Sequence, residues 1–427
     1  MEIAQIHTLF LQCQSTSTDT RKIKEKSFFV ALRGDNFDAN TFAYEALNKG
    51  ASYVVIDNPD FYIDERTILV KDSLVTLQEL AKFHRKYLKL PIIALTGSNG
   101  KTTTKELIQV VLSKKYNTKA TVGNLNNHIG VPLTLLSFDA TTEIGIVEMG
   151  ANHQREIEFL CAIAQPDFGY ITNFGKAHLE GFGGVEGVIK GKSEMYDYLL
   201  AHEKMTFVNL EDVIQVNKTT SMRTYSFGIN KPEANVNITS AKADPFVAID
   251  FLNQQINSHL IGLYNANNIN AAIAIGIYFG VAASDIKQAL ETYVPENNRS
   301  QLVRKSTHEI ILDAYNANPS SMTVAIENFI QLDQKNKIAI LGDMFELGEE
   351  SLSEHKNIID LLSRKNEIEC YFVGKDFYTN INSQPHFHFF ETFEALTNHL
   401  KNNKWENKMI LIKGSRGMAL ERVLDLL

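Results

Sequence analysis

With 427 residues, 44% of them apolar, and a net charge of -8, the chain is long enough for two or three cored domains and too acidic overall for a nucleic-acid groove to be its main business. Its three cysteines, Cys13, Cys161 and Cys370, are odd in number and far apart, which argues against a disulfide framework or a zinc site. The start, MEIAQIHTLFLQCQ, lacks a basic segment, and no later run approaches the roughly 18 apolar residues of a membrane span, so a cytoplasmic globular protein is expected.

Residues 1–88 mix short strands (Ser27–Leu32, Ser52–Ile56, Thr67–Val70) with helical stretches (Thr41–Lys49, Leu74–Leu88), the pattern of a small α/β domain. Within it, Thr18, Asp19, Thr20 and Arg21 lead into a strand. Hydroxyls beside a guanidinium suit a diphosphate or a carboxylate; a capped turn with a surface arginine is the plainer alternative.

From Leu90 the alternation becomes regular. Pro91–Leu107, PIIALTGSNGKTTTKEL, reads as a buried strand, a glycine-rich turn and a helix. Gly97 and Gly100 would let successive N–H groups of Thr96, Ser98, Asn99 and their neighbours converge on one anion at a helix start. Lys101 would then reach the β- and γ-phosphates, and the Thr102 hydroxyl, next to Thr103, would ligate Mg²⁺. Leu95 stands where the longer form of this loop has its first glycine, so the loop is a shortened relative. Taken alone it supports nucleotide-phosphate binding and leaves kinase, GTPase and ligase open.

The turn Gly123–His128 holds Asn124, Asn126 and Asn127, which are costly to bury unless they satisfy each other or a ligand. Glu148 ends an apolar strand, and in a doubly wound sheet that end faces the ligand crevice, which makes it a candidate metal ligand. The strand Phe168–Thr172 runs into a polar segment carrying His178, beyond another carboxyl end. The helix Gly187–Leu200 carries Lys190, Lys192 and Glu194, most simply a solvated face. The stretch Phe207–Leu260 has β-type segments (Arg223–Phe227, Val247–Phe251, Gln255–Leu260) expected to flank the nucleotide core. Asn268 then sits inside a helix running to Phe279, where capping does not account for it.

Pro295–Ser300 is polar and breaks the helical pattern, which sets boundaries at 89–297 and 298–427. The last part repeats strand then helix (Glu309–Leu312, Lys337–Leu341, Glu369–Val373, His386–Phe390, Lys408–Lys413), a Rossmann-like alternation without a Gly-x-Gly-x-x-Gly fingerprint. Polar groups sit at its strand ends: Asp313 with Tyr315, Asn316 and Asn318, then Gly342-Asp343, Gly374-Lys375, and Gly414–Gly417 after Lys413. The last, with Ser415 and Arg416, is expected to begin a helix that could hold a carboxylate.

The ordered set resembles the Mur ligase family over nearly the whole chain. TGSNGKT resembles its phosphate loop, EMGA its strand-end glutamate, TNFGKAHLEGFGG its metal-histidine segment, GKSEMY its modified-lysine helix and NANNINAA its adenine site. STDTR with FVALRGDNFD, GNLNNHIGVPLTLL, DAYNANPSSM, LGDMFELG and KGSRGMALE point to the MurF-type branch. The resemblance implies a three-domain α/β fold: a small N-terminal α/β domain recognising a UDP-sugar, a central ATP-binding P-loop sheet, and a C-terminal Rossmann-like domain for an incoming dipeptide. It implies an ADP-forming amide ligase of peptidoglycan precursor synthesis that joins D-alanyl-D-alanine to UDP-N-acetylmuramoyl-tripeptide through an acyl phosphate.

By the same resemblance, Lys101 and Arg299 form a cationic clamp on ATP, Thr102 and Glu148 hold one Mg²⁺, and His178 sits at a second. Lys192, two residues before Glu194, matches a lysine carrying a CO₂-derived carbamate, which overturns the solvated-face reading; Lys190 is its decoy. Asn268 and Asp313 match adenine and ribose positions. Thr18 to Arg21 with Asn126 and Asn127 match a nucleotide-sugar site, and Tyr315, Asn316, Asn318, Lys413, Ser415 and Arg416 would face the dipeptide. Tyr264 stands where many relatives have histidine, and Asp38–Phe42 departs from the usual Asp-Gly-His-Asp-Phe. A monomer without nucleic-acid or membrane partners is implied. Addition of a single amino acid, as in sister Mur ligases or folylpolyglutamate synthases, is the alternative chemistry; a nucleotide-binding module without catalysis is the alternative class.

Overall fold

The structure, a computed structural model, describes all 427 residues. The loop-bearing strand Ile92–Thr96 lies inside a seven-stranded, all-parallel sheet, flanked by Phe168–Ile171 on one side and Ile144–Glu148 on the other. Every residue of Ile92–Thr96 is buried. That is why this strand reads as an unbroken apolar run: a parallel sheet covered on both faces has no wet side to select alternation. Because the three strands run in the same direction, their carboxyl ends open at one edge, where the phosphate loop begins, Glu148 closes its strand and the His178 segment departs.

The Arg223–Ile229 segment belongs to this central sheet, pairing in parallel with Met205–Asn209. The other two expected flanking segments, as Phe246–Phe251 and Gln254–Ile261, form a separate antiparallel meander with a third strand, Ser240–Ala243, that the sequence reading does not include. The sequence reading groups those two with Arg223–Phe227.

The N-terminal sheet has four parallel strands in the order Ser15–Ser17, Ser27–Val30, Ala51–Ile56, Thr67–Leu69. The expected helix Thr41–Lys49 is split into a 3₁₀ turn, Ala39–Phe42, and a short helix, Ala43–Asn48. Asp38 caps the turn by accepting from the Asn40 N–H at 2.9 Å. Asn40 is fully buried and donates to both Asp38 (2.6 Å) and Asp57 (2.8 Å). The departure at Asp38–Phe42 thus fills a polar knot inside this domain.

The helix Ile3–Phe10 docks on Ser73–Leu88 through a buried histidine pair. His7 Nε2 meets His84 Nδ1 at 3.0 Å, and His84 Nε2 meets the Phe138 carbonyl of the central domain at 2.9 Å.

The C-terminal sheet has six strands in the order Gln301–Lys305, His308–Asp313, Met409–Lys413, Lys337–Gly342, Ile368–Val373, Phe387–Phe390. All pairings are parallel except the first, an edge hairpin that the sequence reading missed. One contiguous apolar cluster contains Phe28 of the first domain, Val147, Phe174 and Leu179 of the second, and Ala317, Met344 and Leu347 of the third. No helix is long and apolar enough to cross a membrane.

Candidate active site

A cleft of about 1980 Å³ opens between the carboxyl ends of the central and C-terminal sheets. The phosphate loop forms its floor, and two glycines there are sterically required. At Gly97 (φ +140°) an added Cβ would lie 2.0 Å from Thr172 Oγ1; at Gly100 (φ +77°) it would lie 2.6 Å from Asn268 Oδ1. Asn268 accepts from the Thr104 hydroxyl at 3.0 Å and donates to Asn265 at 2.8 Å. This buried asparagine therefore locks the helix Ala266–Tyr278 onto the loop helix Lys101–Leu112.

Lys101 curls back over its own loop, donating to the Gly97 carbonyl at 2.6 Å and the Ser98 carbonyl at 3.3 Å. Desolvation lowers its ammonium below the ordinary lysine range, opposed by Glu148 and reinforced by Arg299. Asn99 is held by Asn173, which accepts from its N–H at 3.1 Å and donates to its carbonyl at 3.0 Å. Across the cleft, Asn318 donates to Asn99 Oδ1 at 2.7 Å while its own oxygen caps the helix Pro319–Gln331. Thr96 is buried behind the loop, and Thr102 and Thr103 begin its helix.

Glu148 is 2% exposed. One carboxylate oxygen accepts from Asn126 at 2.9 Å; the other is buried with no partner. A buried carboxylate oxygen left bare is costly unless a cation supplies the missing charge, so this residue, with the Thr102 hydroxyl lining the same cleft, fits a hard divalent ion of the magnesium kind. Behind it, Lys105 donates to the Thr121 carbonyl at 2.7 Å, and the Thr121 hydroxyl accepts from the Glu148 N–H at 2.9 Å.

The two lysines of the helix Val185–Ala201 part company. Lys190 is exposed; Lys192 is fully buried, behind Ala151 of the cleft wall, with its ammonium donating to the Ala151 carbonyl at 3.1 Å and 5.0 Å from the Phe182 ring. Burial, with Lys101 adding to it, pushes Lys192 well below the ordinary lysine range. Glu194 accepts from the N–H groups of Arg155 (2.5 Å) and Glu158 (3.0 Å) and so anchors the helix Glu156–Ala164. His178 reaches the cleft wall and pairs through Nδ1 with Glu346 of the C-terminal domain.

On the opposite wall, Arg299 stacks on Tyr315 with its guanidinium carbon 3.6 Å from the ring centre, and its Nε is buried without a partner. Arg416 lies 5.7 Å from the same ring and donates to Glu421 at 3.1 Å. Asp313 accepts from Lys413 at 2.6 Å and from the Ser300 N–H at 3.1 Å; Lys413 also donates to the Asn316 carbonyl at 3.2 Å. Tyr264 bonds Ser300 Oγ at 2.7 Å, and burial pushes its phenol above the ordinary range.

Gly414–Gly417 does not begin an α-helix. A three-residue 3₁₀ turn, Arg416–Met418, follows the strand, Ala419 turns left-handed (φ +47°) immediately after it, and a second 3₁₀ segment, Leu420–Leu426, comes next. The Ser415 hydroxyl instead accepts from the Phe345 N–H at 2.9 Å and tethers that loop.

Asn127 acts as a turn cap, accepting from the N–H groups of Ile129 and Gly130, whereas Asn126 faces Glu148. Thr18 to Arg21 lie outside the cleft. There Asp19 accepts two bonds at 2.9 Å from Arg21, whose side chain is 86% exposed. The residues missed from sequence are Asn173, Asn265 and Glu346. Each lies in a motif that carries the family resemblance, TNFGKAHLEGFGG, NANNINAA and LGDMFELG respectively, and that membership is the signal the sequence offers.

Residues 95–276 match the profile of the Mur ligase middle domain, and residues 298–416 that of the Mur ligase, glutamate ligase domain. The chain is 34% identical over 419 residues to the UDP-N-acetylmuramoyl-tripeptide–D-alanyl-D-alanine ligase of Bacillus subtilis (strain 168), covering 96% of this chain and 92% of that protein. It is 32% identical over 420 residues to the enzyme of that description from Escherichia coli (strain K12), with the same coverage. Among solved structures it is similar to MurF from Acinetobacter baumannii (TM-score 0.85, 30% identity, 99% of this chain and 98% of that one). It is also similar to the MurF ligase from Thermotoga maritima in complex with ADP (TM-score 0.81, 27% identity, 98% and 97%).

Proposed function

Because this chain belongs to the Mur ligase family, we propose that the cleft between its central and C-terminal sheets joins D-alanyl-D-alanine to UDP-N-acetylmuramoyl-tripeptide, consuming ATP and releasing ADP and phosphate. The observation that carries this reading is the Asn318–Asn99 bond. It brings the phosphate loop and the strand ends of the C-terminal domain to one reaction space, which a two-substrate ligase needs and a simple nucleotide-binding module does not.

In the first step the terminal carboxylate of the tripeptide attacks the γ-phosphorus and ADP departs, leaving an acyl phosphate. In the second, the amine of D-alanyl-D-alanine attacks the acyl carbon, phosphate leaves, and the amine's proton passes to water or phosphate. Such chemistry asks the protein for alignment and charge neutralisation. Lys101 supplies it by leaving the Gly97 and Ser98 carbonyls for the phosphates. Arg299, planar and held flat by Tyr315, offers its unpaired Nε from the other wall. Asn268 and Asp313 serve the adenosine; Tyr315, Asn316, Asn318, Lys413, Ser415 and Arg416 serve the dipeptide; Thr18, Asp19, Thr20, Arg21, Asn126 and Asn127 serve the UDP-sugar end.

Thr102, Glu148, His178 and a carbamate formed from Lys192 and CO₂ would hold magnesium, which when bound neutralises phosphate oxygens. A neutral, desolvated amine is the form that captures CO₂, and burial favours that form at Lys192. We place the domain boundaries at 88/89 and 297/298 and the enzyme, as a monomer, in the cytoplasm, where ATP and nucleotide-linked precursors are found.

Phosphate release with ATP and UDP-N-acetylmuramoyl-tripeptide tests the assignment. Release is expected to require D-alanyl-D-alanine, and equal release with single amino acids would overturn it.

A further inference from the structure

His178 and Glu346 come from different domains, and their contact is one of a set. The Glu180 N–H donates to the Glu346 carbonyl at 3.3 Å, and an added Cβ at Gly348 would touch the Glu180 side chain at 3.3 Å. Beside them, Lys176 binds Glu354 at 2.6 Å, and its N–H donates to Ser320 Oγ at 2.8 Å. Both members of the pair sit on left-handed backbone, His178 at φ +54° and Glu346 at φ +62°. Such backbone in a non-glycine residue persists where its surroundings hold it.

The loop carrying Glu346 is fixed from behind. The Met344 N–H donates to His355, which is fully buried, at 2.9 Å, and the Phe345 N–H donates to Ser415 at 2.9 Å. Glu346 is thus tied to the strand end assigned above to the dipeptide.

An ionised carboxylate only accepts hydrogen bonds, so the Nδ1 that meets Glu346 carries the hydrogen. The ring's lone pair is then on Nε2, the nitrogen free to serve a cation in the cleft. Metal-binding histidines are commonly set in this way by a carboxylate on their other nitrogen.

We propose that Glu346 is a positioning residue for His178: delivered by the C-terminal domain, it fixes the histidine tautomer and ring orientation, so that the ATP side of the cleft is completed only when the dipeptide side has docked. The proposal rests on the reading of His178 as facing the metal.

The test compares Glu346→Ala, Glu346→Gln and His178→Ala, each checked for wild-type thermal stability. The first readout is nitrogen NMR of the ring-labelled ligand-free protein. The Nδ1–H form of His178 is expected in the wild type and in Glu346→Gln, whose side-chain oxygen still accepts, and its loss in Glu346→Ala. The second is Mn²⁺ titration of the ADP complex by electron paramagnetic resonance, with Mn²⁺ standing in for magnesium. There Glu346→Ala is expected to weaken binding about 10- to 100-fold and Glu346→Gln much less. An Nε2–H form in the wild type would overturn the proposal. So would unchanged Mn²⁺ affinity in Glu346→Ala when His178→Ala loses it. Unchanged affinity in both variants would overturn the metal reading of His178 and the proposal with it.

Discussion

Lys192 shows how much one side chain's meaning depends on what surrounds it. Lys190 and Lys192 are two residues apart on one helix, on nearly opposite faces by the 3.6-residue period. No local property says which face the sheet will cover. The Lys-x-Glu pattern of the family resemblance picks Lys192, and the structure buries it completely while leaving Lys190 in water. The position of Glu148 on the cleft was legible because a carboxylate ending an apolar strand of a parallel sheet faces the crevice at the strands' carboxyl ends. Glu346 was not legible, because its partner His178 is 168 positions away and nothing in either segment names the other. If a carbamate on Lys192 completes the cation site, Lys192→Ala should lose at least about tenfold in activity, and formate or acetate in excess should restore part of it by replacing the missing oxygen ligand. Full activity in the variant would remove Lys192 from the site.

At the level of elements, strands and the loop-bearing helices were read within a residue or two where hydrophobic patterning was strong. Errors fell where tertiary contacts decide. Arg223–Ile229 was assigned to the wrong sheet, because strand pairing is not written in a strand's own composition. The turn after Lys413 reads as a helix start because Gly-Ser-Arg-Gly resembles one, yet Ser415 spends its hydroxyl on the Phe345 loop.

The helix Ile3–Phe10 went unread, and its docking through His7 has a pH signature. Burial, with His84 nearby, brings His7 down from 6.5 to about 4, and burial lowers His84 as well. Both bind protons more readily when unfolded. Their contribution is therefore fully present above about pH 6.5 and is lost as pH falls toward about 4. Thermal unfolding followed from pH 7.5 to 4.5 should show a falling midpoint, with a shallower fall in His7→Phe. Parallel profiles for the two proteins would exclude the histidine pair as the cause.

At the scale of the molecule, three domains and their order were legible, since the strand–helix alternation becomes regular from Leu90 and the polar, proline-bearing stretch Pro295–Ser300 interrupts it. Their mutual arrangement was not, because it is written in contacts such as Asn318–Asn99 and Lys176–Glu354, between side chains with no shared local pattern. The apolar cluster that runs through all three domains carries a thermodynamic consequence. If the cleft opens to admit substrates, the seam containing Phe174, Leu179, Met344 and Leu347 is wetted, and closing it again returns apolar surface to the dry side. Closure then carries a negative heat-capacity change. Calorimetry of substrate binding at several temperatures should give an enthalpy that grows steadily more exothermic on warming, by more than the ligand's own surface explains, whereas a flat enthalpy would mean the seam never parts. If the seam parts in this way, the enzyme senses temperature through domain closure as well as through its chemistry.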